Sequence, residues 1–342
     1  MNTLSARLAV IVAADATAIS AAGGYHLLQT IPVGGAGVFG ALVTVDPVGR
    51  RLYVTHNEQV EVIDVDSGKL VGRIAKTPGA RAIAVTPEFG RGFVNRAQAV
   101  TIFDLKRLET IGEVKVTGAA ATQSVYDPAT KRLFTLNRRG YNVTAIDAKE
   151  GTVAGTIDTL QSRPEFAVSD AKGHVFVSLW EKEAILPIDS LKLAAGELWK
   201  PGPCERPTSM AIDQKNGRLF VGCSNRLMVV LDANNGRLIA KVPTGQGRGV
   251  AAAFDPQTRL LFSSNGEGTS GEGIVTVIQQ ESADKYSVVE TVKIGAGARA
   301  IALDEKTHRI FVPFADQSTE MGRGGNDIRY VPDTFRVLVF GQ

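Results

Sequence analysis

The chain reads as an all-β protein: a seven-bladed β-propeller of four-stranded antiparallel blades, its ring closed by an N-terminal strand that completes the C-terminal blade. Three observations predict this. One sequence unit is written seven times along the chain, and each copy divides into four short strands. The last copy lacks its fourth strand, and the residues ahead of the first copy supply one. Pro, Gly, Asp and Asn also punctuate the chain at short intervals, and no stretch holds a sustained apolar period of helical spacing, so helices are not expected.

The repeat is plainest in its first half. It reads DPVGRRLYVTHN from Asp46, TPEFGRGFVNRA from Thr86 and DPATKRLFTLNR from Asp127. It returns as DAKGHVFVSLW from Asp170, DQKNGRLFVGCS from Asp213, DPQTRLLFSSNG from Asp255 and DEKTHRIFVPFA from Asp304. Successive anchors lie 40, 41, 43, 43, 42 and 49 residues apart. The second half reads VEVIDVDSGKLVGRI, VTIFDLKRLETIGEV, VTAIDAKEGTVAGTI and MVVLDANNGRLIAKV, with looser copies elsewhere.

Each unit opens on a strand of small residues, as over 82–85, which suits the crowded innermost position around a central axis. A turn begun by Asp-Pro or Asp follows, then an aromatic and β-branched strand such as 51–55. A third strand, such as 60–65, is apolar on both faces because blades stack on either side, and a polar fourth, such as 69–74, ends the unit. Four antiparallel strands in ~42 residues is the size of one propeller blade. A β-sandwich gives no reason for seven copies. The seventh unit provides two strands and the run 335–340, and residues 25–31 match the fourth strand of the first unit. Pairing them removes two exposed sheet edges. One domain over 25–342 is therefore expected.

Composition agrees. With 342 residues, 44% hydrophobic and 21% charged, the chain can bury a full core. A net charge of +3 is spread without any Lys/Arg block, so no nucleic-acid footprint is expected. At the N-terminus Arg7 precedes the apolar run 8–14, and small residues follow to Gly23, with Asp15 as a charged defect. This pattern predicts a secretory signal over 1–22. The run is far shorter than the ~20 residues needed to cross a bilayer, so no transmembrane span is expected. Cys204 and Cys223 flank one predicted hairpin whose turn centres near residue 215. Extending both strands leaves them about four residues out of register, beyond the ~7 Å a bridge allows. Two unbridged thiols are the expectation.

Tyr53-Val54-Thr55-His56-Asn57 and the repeat around it resemble the YVTN-repeat β-propellers, specifically the YncE-like group. The likeness covers the chain after residue 25, including the stretch 227–232 and the ending 334–341. The resemblance implies the propeller fold and a periplasmic or secreted bacterial protein, and it implies no particular reaction.

Candidate functional residues divide into those that repeat and those that differ. Asp64, Asp104, Asp147, Asp189 and Asp232 recur where the third strand turns into the fourth. There an Asp side chain can hydrogen-bond the turn backbone while Gly68, Gly151 and Gly236 supply positive φ. A residue present in nearly every blade serves the blade. The blades differ five residues before each anchor, where they carry Ala41, Arg81, Thr122, Glu165, Thr208, Val250 and Arg299. This ring faces the channel mouth, and the family resemblance implies a ring richer in acidic and histidine side chains. Ala41, Arg81, Thr122 and Val250 depart from that pattern, while Glu165, Thr208 and Arg299 keep it. The departures remove carboxylates that could hold a metal, so no metal or cofactor is expected.

Glu165 facing Arg81 or Arg299 suits an anionic or hydroxylated ligand, or an ion pair through channel water. On the same face lie the loops after the second strands, with His56-Asn57, Asn95-Arg96, Asn137-Arg138-Arg139, Trp180-Glu181, Asn225-Arg226 and Asn265. Most of these read as turns. Arg138 and Arg139 stand out as a rim contact because no other blade carries the pair. The long loop 316–333 reads as a lid or binding element. His26, His56, His174 and His308 are scattered along the sequence, and no Walker loop, dinucleotide fingerprint, C-x-x-C-H or HExxH sequence occurs. Motif-bearing enzyme classes are thereby excluded. Two functions remain: a monomeric binding or scaffold protein for a small molecule, peptide or protein, and a lactonase-like hydrolase. The hydrolase would use Glu165 as base with Arg81 or Arg299 as electrophile.

Overall fold

The computed structural model describes residues 24–35, 41–56, 58–245, 247, 249–266, 273–295, 297, 299–317 and 330–342. The secretory signal expected over 1–22, Asn57 and the centre of the loop 316–333 lie outside the described residues. Seven four-stranded antiparallel sheets form seven blades. Their innermost strands are Val43–Asp46, Ile83–Thr86, Ala121–Asp127, Pro164–Ser169, Pro207–Asp213, Ala251–Asp255 and Ala302–Asp304, and each neighbours the next around a closed ring. In blade 7 the order is His26–Pro32, Arg336–Gly341, Arg309–Phe314, Ala302–Asp304, so the N-terminal strand closes the ring as expected. No helix among the described residues is long and apolar enough to cross a membrane.

The blade pattern follows from where each strand sits. Second and third strands are buried on both faces because a neighbouring blade covers each side; Arg51–His56 and Gln59–Asp64 are both closed except at their ends. One aromatic per blade fills the same place in the second strand: Tyr53, Phe93, Phe134, Phe176, Phe220, Phe262 and Phe311, all fully buried. Each such ring contributes roughly 1.5–3 kcal/mol by leaving water. Fourth strands face solvent and bury a single residue toward the blade interface, such as Ile31, Ile74, Val114, Ile157, Val242 and Val292.

Blade 4 departs from the pattern: its fourth strand is only Ala194–Ala195. Pro187 explains this. Its carbonyl accepts from Gly196 N at 2.8 Å, so its nitrogen faces the same outer edge and, lacking a hydrogen, cannot donate to the ladder. The chain leaves the blade there and returns as a bridge between Ile185 and Trp199.

The cysteine expectation fails. Cys204 and Cys223 are disulfide-bonded, with Cα atoms 5.3 Å apart. Cys223 does pair with Pro207, as the register reading requires, but the chain ahead of Pro207 does not continue straight. Gly202 at φ 63° and Arg206 at φ 46° fold it back, and Ser224 N donates to Glu205 O at 2.8 Å. Cys204 is thereby laid over Cys223.

The repeated aspartates cap their turns as expected. Asp104 accepts from the backbone of Lys106 and Arg107 at 2.9 and 2.7 Å, and Asp147 from Lys149 and Glu150 at 2.9 and 2.8 Å. Such bonds hold Asp64, Asp104 and Asp189 below the usual carboxylate range, through Ser67, Arg107 and Lys192 respectively. Burial alone pushes Asp213 up, but hydrogen bonds from Asn216 and Gln280 outweigh it and the carboxyl titrates low. Asp304 behaves likewise, with Arg50 and Thr307 overcoming its burial. Groups lowered in the folded state give stability that is complete above the unfolded value, 3.8, and is lost as pH falls below it. The urea midpoint should therefore be flat from about pH 8 to 5 and fall steeply below about pH 4. An unchanged midpoint at pH 3 would contradict this.

Candidate functional site at the channel mouth

The mouth is built by the loops entering each first strand and those joining second to third strands. Backbone register explains how the ring residues are aimed. In blades 3, 4 and 5 the ladder between first and second strands slips between Ala121 and Gln123, Pro164 and Ala167, and Pro207 and Ser209. Thr122, Glu165 and Thr208 thus sit within β-bulges, which bend a strand and redirect its side chains.

Each then meets a different fate. Glu165 Oε1 pairs with Arg138 Nε at 2.8 Å, the two side chains 17% and 36% exposed. The ring carboxylate is thus joined to the neighbouring blade's loop arginine. Thr208 Oγ1 donates toward the carbonyls of Gly222, at 3.2 Å, and Gly249, stitching blade 5 to blade 6. Thr122 Oγ1 is buried without a hydrogen-bond partner among the described residues.

The cations are spread around the rim. Arg81 continues the inner strand of blade 2 through its N–H to Asn95 O at 2.9 Å, and its side chain is exposed. Arg139 is exposed one residue beyond Arg138. Arg299 lies in blade 7 beside Tyr330; burial lowers the guanidinium from its ordinary value and raises the Tyr330 phenol. The void that Arg299, Tyr330 and Phe335 line is about 10 Å³, room for one water. His56 packs its ring on Phe335, centroids 4.8 Å apart, and places Nδ1 3.7 Å from the buried Glu61 carboxylate.

The structure thus joins Arg138 to Glu165 and distributes Arg81, Arg139, Arg299, Thr122, Thr208 and His56 around the rim. The pair is partly exposed, so a double-mutant cycle on Arg138→Ala and Glu165→Ala should give a coupling of about 0.5–1 kcal/mol in stability. Additive single-mutant effects would remove the pair from the energetics.

Two features were missed from the sequence. Trp180 is held between guanidiniums, Arg163 4.1 Å and Arg206 4.6 Å from its ring centroid. Arg163 also binds Glu181 through backbone and side chain, and these bonds outweigh the burial that would raise the Glu181 carboxyl. The available signal was a tryptophan in a loop position where most blades place Asn or His. Tyr330 is the second. It returns the loop 316–333 to the mouth through a bridge to Gln317, while Arg336 holds Asp316 at 2.6 Å. By contrast Asn95, Asn137 and Asn265 are fully buried. Asn137 Nδ2 donates to Asn142 and Thr144 at 2.7 and 2.8 Å, so it serves the blade.

No family model matches the chain, and no curated protein matches it. Solved structures do. One chain of a structure described as the mitotic checkpoint complex aligns with a TM-score of 0.77 at 10% identity, covering 100% of this chain and 99% of that one. The RRP9 WD40 repeats align at 0.74 and 10% identity, over 93% of this chain and 97% of that one. The structure of U3-55K aligns at 0.75 and 10% identity, over 93% and 98%. At this identity the likeness is one of fold alone, the seven-bladed β-propeller.

Proposed function

We propose that the protein is a bacterial extracytoplasmic propeller of the YVTN-repeat, YncE-like kind that binds an acidic peptide or protein segment across its channel mouth. One observation carries this reading. Arg81, Arg139 and Arg226 are exposed on the mouth loops with no carboxylate partner among the described residues. Exposed guanidiniums suit carboxylates bound bidentately at a surface. The small void at Arg299 favours a partner lying over the rim. A propeller fold is consistent with binding or scaffolding, and the similar chain from a checkpoint complex sits in a protein assembly, an analogy of fold alone. The Cys204–Cys223 bridge supports export, since disulfides persist in oxidising compartments.

A thermal-shift comparison of acidic peptides, basic peptides, sugars and lactones tests the reading. An acidic peptide at a hundred times its dissociation constant should add ~2.7 kcal/mol, a rise of several degrees. Stabilisation by lactones or sugars alone would overturn it.

A further inference from the structure

Five second strands open on arginine: Arg51, Arg91, Arg132, Arg218 and Arg309. Four of these guanidiniums cross to the next blade. Arg51 Nη1 donates to the Leu105 carbonyl and Arg91 Nη1 to that of Lys149. Arg132 Nη1 donates to Ser190 and Leu191 carbonyls at 2.6 and 2.8 Å, and Arg218 Nε to Ala283 O at 3.0 Å. The acceptors lie just past the third strand, where the chain has left its ladder and its carbonyls need an outside donor.

Between blades 4 and 5 the arginine position holds His174 instead. Its ring stays within its own blade, Nδ1 2.8 Å from Asp170 Oδ2. The space left over is a cleft of about 320 Å³. Its apolar part is Phe176, Trp199 and Pro187, the two aromatic rings 5.4 Å apart. Across it lie Ala233 and Asn234, the repeat equivalents of Ser190 and Leu191. No side chain among the described residues donates to their carbonyls.

We propose that this cleft binds the guanidinium of an arginine side chain carried by a peptide or protein partner, in the place that the chain's own arginine fills at other interfaces. The clustered donors of a guanidinium fit two adjacent carbonyls, which Arg132 reaches through Nη1 one interface away. Asp170 adds a carboxylate, and the aromatic wall offers a surface on which a guanidinium can stack. Lys172 is tethered to Gln214 O at 3.1 Å. The cleft opens on the face opposite the mouth, so it stands or falls independently of the acidic-partner reading.

The test is a titration of the full protein with N-acetyl-arginine methylamide, followed by amide NMR, with the citrulline analogue as a neutral control of equal shape. Saturable shifts confined to residues near His174 and Asn234, and none with the citrulline analogue, are expected. His174→Arg restores the repeat and refills the slot. It should raise the melting temperature and weaken the probe at least tenfold. Equal response to both probes, shifts mapping elsewhere, no shift at millimolar probe, or undiminished binding in H174R would each overturn the proposal. The citrulline comparison decides the question even if the variant fails to fold.

Discussion

Deleting residues 24–32 should make the protein unfold many degrees lower and aggregate. The strand His26–Pro32 pairs along its length with Arg336–Gly341, from His26 opposite Gly341 to Pro32 opposite Arg336. Ile31 is 3% exposed, inside the core between blades 7 and 1. Tyr25, 4% exposed, packs edge-on to Phe262 at 4.9 Å and donates its hydroxyl to His308 O at 2.7 Å. Burial of each side chain is worth roughly 1.5–3 kcal/mol. The deletion also bares the outer edge of the last strand, a ready template for pairing between molecules. A milder variant separates packing from edge exposure: Ile31→Ala should cost about 2–5 kcal/mol by calorimetry, without aggregation while folded. A truncated protein that does not aggregate and melts like the full chain would mean that closure contributes little.

The second large effect concerns the disulfide. Cys204→Ala/Cys223→Ala should lose ~3 kcal/mol, the loop-closure entropy of about twenty residues. In a chain of this size that is a fall in melting temperature of roughly 4–5 °C. Dithiothreitol should reproduce the fall in the natural protein and leave the double variant unmoved. Equal melting with and without reductant would show that the folded-back segment is held by its hydrogen bonds alone, such as Asn225 Nδ2 to Pro203 O at 2.6 Å.

The architecture was legible because the repeat writes it out in every blade. Anchors such as Asp127 and Asp213, the buried aromatic at Phe134 or Phe220, and the orphan strand before the first unit each followed from elementary strand physics. The exceptions are local departures that periodicity averages away. Pro187 was visible as a residue, but its effect depends on which edge its nitrogen faces. The Cys204 bridge was missed because extending a strand by counting assumes it stays straight, and Arg206 at positive φ bends it. At the mouth, the blades differ five residues before each anchor. Bulges at Thr122, Glu165 and Thr208 then decide where side chains point, and nothing in the alternation marks them. The link from Glu165 to Arg138 joins two blades, as does the Trp180 clamp formed with Arg206, and neither pairing leaves a trace in one repeat read alone.

The direct measurement is the affinity of a short glutamate-rich peptide for the natural protein and for Arg81→Glu/Arg139→Glu/Arg226→Glu at two salt concentrations. A mouth that recognises acidic segments should bind the peptide, more weakly as salt rises, and charge reversal should weaken it at least tenfold, or ~1.4 kcal/mol. The variant should melt like the natural protein, because the three side chains are exposed. Binding that survives charge reversal, or no binding at low salt, would contradict a basic recognition face at the channel mouth.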